Sequence, residues 1–104
     1  MNAGYTVRLT PNADKDLTRL KKIKPQVGAV LRKLQENPQA GHALMGSLSG
    51  ARALAFSLPG GAYRGAYIVL EEERICLLFL VAPHEGFYKK AERRYKALKR
   101  QGKL

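Results

Sequence analysis

Three consecutive segments in the second half of the chain decide its fold: AYRGAYIVL at residues 62–70, ICLLFLVA at residues 75–82 and PHEGFYKKAERRY at residues 83–95. The first predicts a strand over Tyr63–Leu70. The second is apolar on both faces and predicts an interior strand over Ile75–Ala82. The third predicts a helix that begins at Gly86 or Phe87. A histidine and a tyrosine therefore follow the interior strand and lie at the start of a basic helix.

The first third of the chain predicts one strand and a helical hairpin. Tyr5–Thr10 alternates apolar and polar residues, as a half-buried strand does. Thr10-Pro11 has the pattern of an N-cap followed by proline at the first helical position. Pro25 opens a second helix, which Asn37-Pro38 ends. Two helices joined so closely form a hairpin.

The middle of the chain supplies the remaining parts of the sheet. Residues 38–50 are rich in small residues and are predicted to be a loop. Arg52–Leu58 alternates as a strand, and Pro59-Gly60-Gly61 marks the turn that follows it. The complete order is β-α-α-β-β-β-α: an α+β fold with a small, mainly antiparallel four-stranded sheet, an N-terminal helical hairpin and a C-terminal helix. We expect residues 1–104 to form a single domain.

The charge of the chain is unusual and uneven. The formal net charge is +11 over 104 residues. Residues 37–83 carry as many acidic as basic side chains, so the excess lies in residues 1–36 and 84–104. Both end segments are predicted to be largely helical. A small domain with this charge indicates a polyanionic partner, such as nucleic acid or an acidic protein.

The cysteine content and the apolar runs indicate a cytoplasmic protein. Cys76 is the single cysteine and lies in the most apolar run, which favours a buried thiol in a reducing compartment. The first residues lead directly into the predicted strand, so we expect no signal peptide. The longest apolar run, Ile75–Ala82, is too short to span a membrane.

The sequence predicts neither a metal site nor a cofactor site. His42 and His84 are far apart in sequence and lack a third ligand at a usual spacing. The glycines at positions 60, 61 and 65 form neither a Walker loop nor a dinucleotide-binding fingerprint.

Five side chains remain as candidates for chemistry: Arg52, Arg64, His84, Glu85 and Tyr88. Burying Arg64 on a strand is costly unless its charge meets a phosphate or a carboxylate, so an ion pair with Glu85 or with the acidic residues 71–73 is the structural alternative. A histidine exchanges protons near neutral pH, although His84 at a helix start could also have no catalytic role. Tyr88 lies on the predicted apolar stripe of the last helix, where core packing would also explain it.

The order of these motifs resembles the RelE/ParE superfamily of toxin–antitoxin toxins. The resemblance rests on Tyr63-Arg64-x-x-Tyr67, on the apolar strand that follows, and on Tyr88 before a basic helix. The pattern of Tyr5–Leu20 and the Leu-x-x-Leu-x-x-Asn-Pro signature of Leu31–Pro38 also agree with it. It covers roughly residues 4–98.

This resemblance implies a function and roles for residues. RelE-like toxins are ribosome-dependent mRNA endonucleases in which the RNA's own 2′-hydroxyl attacks the phosphodiester, so no metal is required. Arg64 is similar to the phosphate-stabilising strand arginine of the family, and Tyr88 to its C-terminal tyrosine. His84 falls about where members place an arginine or histidine, and Glu85 would be a second acid–base group or would neutralise Arg64. The expected RNA-binding side chains are Arg52, Lys89, Lys90, Arg93 and Arg94.

Other readings of the same resemblance stay open. The second predicted strand has no lysine, whereas some RelE members use lysines there. The ParE branch shares the fold and inhibits DNA gyrase without this catalytic set, and a degenerate, non-toxic member would also lack it. Under either toxin reading the resemblance implies a small acidic antitoxin as partner, with mRNA and the ribosome as further partners of a nuclease.

Overall fold

The computed structural model describes residues 4–20, 24–58 and 61–102. Pro59 and Gly60 of the predicted turn lie outside these ranges, whereas Gly61, the third residue of that turn, begins a strand and pairs with Leu58. The described residues form three helices and five strands: β1 Thr6–Leu9, α1 Pro11–Arg19, α2 Lys24–Glu36, β2 His42–Ala43, β3 Ala51–Leu58, β4 Gly61–Leu70, β5 Ile75–Pro83 and α3 Phe87–Arg100.

The strand order in the sheet is β1-β5-β4-β3-β2. The predicted α+β class is confirmed, as is the antiparallel meander of β3, β4 and β5. β1 pairs in parallel with β5 after the helical hairpin, so β5 lies between two strands along its first half. None of the described helices is long and apolar enough to cross a membrane.

The prediction of four strands was wrong by one, because residues 38–50 are not entirely loop. They contain β2, which pairs with β3, and a short 3₁₀ turn. The hydroxyl of Tyr67 donates to the carbonyl oxygen of Pro38 (2.8 Å) and accepts the N–H of Gly41 (2.9 Å). Burial raises the pKa of the Tyr67 phenol and so keeps this donor protonated. A strand of two residues has no periodicity to detect. The residue that anchors it, Tyr67, is distant in sequence.

Two local features of the helices are the N-cap of α1 and the buried face of α3. Thr10 caps α1, since its Oγ1 accepts the N–H of Ala13 at 3.1 Å. In α3 the buried stripe is Phe87, Ala91, Tyr95 and Leu98. Tyr88 was predicted to lie on this stripe, but Phe87 occupies the inward position and Tyr88 is exposed. Helical spacing permits either residue, since both lie three or four positions before Ala91.

The core has two parts, one on each face of the sheet. On one face α3 packs on β3, β4 and β5 through Ala53, Ala66, Ile68, Phe79 and Leu80, together with its own buried stripe. The helical hairpin covers the other face, where Leu17 and Leu34 pack against Leu54, Tyr67, Cys76, Leu78 and Val81. The sheet is therefore enclosed on both faces along its middle.

An ion pair joins α1, α3 and the edge of β5. The guanidinium of Arg94 binds both carboxylate oxygens of Asp16, at 2.5 and 2.9 Å. Asp16 Oδ2 also accepts the N–H of Val81 (3.0 Å), and Arg94 Nη1 donates to the carbonyl oxygen of Phe79 (3.0 Å). The pairing of β1 with β5 ends at Leu78. Asp16 therefore accepts from β5, and Arg94 donates to β5, where a longer β1 would have formed backbone hydrogen bonds.

The substitution Asp16→Asn tests this pair. We expect it to lower the free energy of unfolding by about 2–3 kcal/mol, because it leaves the partly buried Arg94 without its counter-charge. Asp14→Asn is the matched control, since Asp14 is exposed on the same helix and should cost less than about 1 kcal/mol. Urea denaturation measures both, and equal losses would show that the pair contributes nothing specific.

Cys76 provides a second stability test, through pH. The thiol is fully buried, as predicted, and burial raises its pKa to about 11. In the unfolded chain the thiol ionises near pH 9, so its contribution to stability is intact below pH 9 and is lost as the pH rises towards 11. We expect Cys76→Val to lose less stability over this interval, by up to about 3 kcal/mol. Chemical denaturation at several pH values measures this, and identical profiles would refute it.

Candidate functional site

Arg64 and Tyr88 contact each other at one end of the sheet. Arg64 lies on the α3 face of β4, where it pairs with Ala55 of β3 and Ala82 of β5. Tyr88 lies in the first turn of α3, with 42% of its surface exposed. Nη1 of Arg64 donates a hydrogen bond to the hydroxyl of Tyr88, and the guanidinium carbon lies 5.5 Å from the ring centroid. The pair thus joins a cation and a phenol in an accessible position.

Arg64 is not held by a carboxylate. Among the described residues, which include Glu85 and residues 71–73, none forms an ion pair with Arg64. The ion pair that was the structural alternative for Arg64 is therefore not found among them. Its hydrogen-bond partner within the described chain is Tyr88. A guanidinium has five N–H donors, and most of those of Arg64 are left for an anion.

His84 follows the end of β5 and lies beside Arg64. Its backbone N–H donates to the carbonyl oxygen of Ala62 (3.0 Å), so the β4–β5 hydrogen-bond ladder continues for one step beyond Pro83. This pairing makes His84 a diagonal neighbour of Arg64 on the same face of the sheet. Its carbonyl oxygen accepts the N–H of Phe87 (3.3 Å). Gly86 completes the turn into α3 with φ +72°, a backbone conformation that favours glycine.

The end of β5 and the start of α3 form an open hollow of about 630 Å³. The exposed side chains of His84, Glu85, Tyr88 and Lys89 line it. The structure therefore brings together the four residues predicted to be catalytic, since Arg64 contacts Tyr88 directly. Within the described ranges, no group of three or more histidine, cysteine, aspartate or glutamate side chains could hold a metal ion.

The predicted RNA-binding residues of α3 fall into two groups. Lys89, Lys90 and Arg93 are exposed to solvent, whereas Arg94 is bound to Asp16 and is largely covered. The sequence analysis overlooked Asp16 as the partner of Arg94. The two residues are 78 positions apart, so no local pattern links them.

Arg52 does not join this site. It pairs with Tyr67, and Tyr67 packs against the helical hairpin, so Arg52 lies on the face of the sheet opposite to Arg64. Its Nη2 donates to the carbonyl oxygens of Gln39 (3.1 Å) and Gly41 (2.6 Å). In this structure Arg52 holds the segment before β2 against β3. Strand alternation separates the two arginines, since Arg52 and Ala55, the β3 partner of Arg64, are three positions apart and therefore face opposite sides of the sheet.

Comparison with known proteins identifies the family of the chain. The family model of ParE-like toxins of type II bacterial toxin–antitoxin systems matches residues 7–92. No curated protein sequence matches the chain significantly.

Solved structures of RelE toxins share the fold. The RelBE2 toxin–antitoxin complex of Mycobacterium tuberculosis is 26% identical with a TM-score of 0.70, over 79% of this chain and 100% of that one. A free Escherichia coli RelE variant with two arginine-to-alanine substitutions is 22% identical with a TM-score of 0.70, over 96% and 98%. The intact Escherichia coli RelBE complex is 20% identical with a TM-score of 0.62, over 78% and 98%.

The family model spans most of the chain, and the solved RelE structures share its fold. The chain belongs to the ParE-like toxins of type II bacterial toxin–antitoxin systems, within the RelE/ParE superfamily.

Proposed function

We propose that this toxin is an endoribonuclease that cleaves mRNA on the ribosome by attack of the RNA's own 2′-hydroxyl. The observation that carries the proposal is the contact between Arg64 and Tyr88 at an open, basic end of the sheet. Such cleavage needs a group that accepts the 2′ proton, a cation beside the crowded phosphate and a donor to the leaving 5′ oxygen. Each requirement has a candidate side chain here.

Arg64 and Tyr88 are suited to the phosphate. The free N–H groups of Arg64 can bind the non-bridging oxygens, whose charge increases in the transition state. The Tyr88 oxygen already accepts a hydrogen bond from Arg64, so its own O–H proton is free to be donated outward. We assign this proton to a phosphate oxygen or to the leaving oxygen.

His84 and Glu85 are suited to the remaining proton transfer. Both side chains are exposed in the hollow beside Tyr88. A histidine exchanges protons near neutral pH, and His84 is the diagonal neighbour of Arg64. We assign the 2′ proton to His84, with Glu85 as the second acid–base group.

The proposal includes an antitoxin partner, together with mRNA and the ribosome. Two of the similar structures are complexes of RelE toxins with their antitoxins. The net charge of +11 favours an acidic protein that covers the basic surface. The same charge favours ribosomal RNA, with Lys89, Lys90 and Arg93 as exposed phosphate ligands.

Inhibition of DNA gyrase is the second candidate function. The matching family model is named after ParE, and β3 carries Ala55 and Ser57, not lysine, on the face that holds Arg64. A gyrase inhibitor would act by binding and would not need the proton-transfer groups.

The substitution Arg64→Ala separates the two functions. We expect it to slow mRNA cleavage in a cell-free translation system by about 100-fold or more, because it removes the charge beside the phosphate. Arg100→Ala, which removes an exposed arginine at the far end of α3, should leave the cleavage rate nearly unchanged. Primer extension measures the cleavage. If the parent protein cleaves no mRNA and blocks gyrase supercoiling, the nuclease proposal is wrong.

The substitution Tyr88→Phe tests the proton. It keeps the ring and its contact with Phe87 but removes the hydroxyl that accepts from Arg64. We expect the cleavage rate constant to fall by about 100-fold, while RNA affinity changes less than threefold, because proton donation acts on the chemical step. A loss confined to RNA affinity would assign Tyr88 to base stacking instead.

A further inference from the structure

A row of three side chains crosses the end of the sheet on the face opposite to Arg64. Phe56 of β3 is paired with Tyr63 of β4, and Tyr63 is paired with Pro83 of β5. Residues that lie directly opposite each other in antiparallel strands point to the same face of the sheet. Phe56, Tyr63 and Pro83 are therefore neighbours, and we call this set the end row.

The two rings of the end row are stacked and only partly buried. Their centroids lie 6.2 Å apart, and their planes differ by 22°. Both rings pack against the core on the side of the helical hairpin, but each keeps part of its surface exposed, and Pro83 is exposed. Phe79 and Tyr95, which are also stacked, lie in the core under α3 instead. Phe56 and Tyr63 thus present stacked aromatic surface to solvent.

The hydroxyl of Tyr63 is not used to anchor a loop within the described chain. The hydroxyls of Tyr67 and Tyr95 donate to the carbonyl oxygens of Pro38 and Ser49, so each ties a loop to the core. No described residue hydrogen-bonds with the hydroxyl of Tyr63. Among the described residues, the contribution of Tyr63 is therefore its ring.

The end row lies next to the Arg64 site along two strands. Tyr63 precedes Arg64 in β4, and Pro83 precedes His84 at the end of β5. Successive residues of a strand point to opposite faces and are about 3.3 Å apart along it. The end row and the proposed cleavage site are thus the two faces of one sheet end. An RNA chain that crosses the end of β5 would meet both.

Positive charge surrounds the end of β5 on the side of the end row. Arg19 and Lys90 are exposed and line the same cleft as Pro83. Neither forms an ion pair with a described residue, whereas Asp16, which also lines the cleft, is bound to Arg94. A polyanion that covers the end row would therefore find cations beside it.

We propose that the end row is a stacking platform for one nucleobase of single-stranded RNA. The base would lie on the exposed surface of Phe56 and Tyr63, with Pro83 at its edge, while its phosphates approach Arg19 and Lys90. Unpaired bases stack on tyrosine and phenylalanine rings in RNA-binding proteins, and the contact tolerates any base because each has a π-face. That this base flanks the cleaved phosphodiester rests on the proposed function, whereas the stacking itself does not.

The test uses a short oligonucleotide that carries one base, 2-aminopurine, among abasic residues, with every ribose 2′-O-methylated. It has no 2′-hydroxyl and so cannot be cleaved by the proposed reaction. The fluorescence of 2-aminopurine falls when the base stacks on an aromatic ring. We expect the full-length toxin to quench it and to bind it about tenfold more tightly than the fully abasic oligonucleotide of the same charge. This comparison uses the unaltered protein and does not depend on the folding of any variant.

Substitutions then assign the base to the end row. Tyr63→Leu and Phe56→Leu should each remove most of the quenching and reduce the preference for the base to less than about threefold. Tyr63→Phe keeps the ring and should behave as the parent does. Tyr5→Leu is the matched control, because Tyr5 is also a partly buried tyrosine on the hairpin side of the sheet but lies beside Arg74, before the other end of β5. It should leave the quenching unchanged.

Three outcomes would overturn the proposal. Equal binding of the one-base and fully abasic oligonucleotides would mean that only charge attracts RNA. Loss of quenching in Tyr88→Leu, with full quenching in Tyr63→Leu, would place the base at the Arg64 site. A loss in Tyr63→Phe as large as that in Tyr63→Leu would show that the hydroxyl contacts the RNA and the ring does not.

Cleavage of unmodified mRNA is measured separately, so the two proposals can fail independently. Quenching without cleavage would support the platform and contradict the nuclease. Cleavage without quenching would support the nuclease and contradict the platform.

Discussion

The ion pair between Asp16 and Arg94 is the interaction on which the rest of the structure depends. It joins the N-terminal hairpin to the C-terminal helix, and it satisfies two backbone groups where β1 ends and β5 continues. A carboxylate and a guanidinium can replace a missing strand neighbour because together they provide one acceptor and one donor at the same spacing. Without them, the edge of β5 would leave an N–H and a carbonyl group unpaired beside the core.

The same pair helps to fix how α3 lies on the sheet, and this position decides which side chains of the helix are exposed. With Arg94 directed towards Asp16, Phe87 and Tyr95 pack inward and Tyr88 is left exposed beside Arg64. Lys90 and Arg93 are left exposed beside Arg19 at the end of α1. One helix thus presents a phenol to Arg64 and two cations to the end of α1.

The basic side chains therefore divide by position, not by type. Arg94 and Arg52 bind protein oxygens and hold elements together, whereas Arg64 and Arg93 form no ion pair with a described residue. All four are arginines in a strongly basic chain, and composition treats them alike. The division follows from which acceptors the fold brings near each guanidinium.

Much of the fold was predictable because its signals are local. Alternation identified β1 and β3, a run apolar on both faces identified β5, Thr10-Pro11 marked the start of α1, and the spacing of apolar residues identified α3. β2 was missed, because a two-residue strand carries no period and is held in place by Tyr67. The prediction that placed Tyr88 on the buried stripe was one residue out of phase, since Phe87 and Tyr88 are both aromatic and only packing chooses between them.

The sequence by itself determined the order of the elements other than β2, the basic character of the two ends and the residue types of the candidate site, because each of these is encoded within short windows. The tertiary structure alone decided which charges are free. Asp16 meets Arg94 and Arg64 meets Tyr88 only after strands and helices distant in sequence have packed together. The same packing left β5 with an open edge beside Arg19, Lys90 and Arg93, because β1 is too short to cover it.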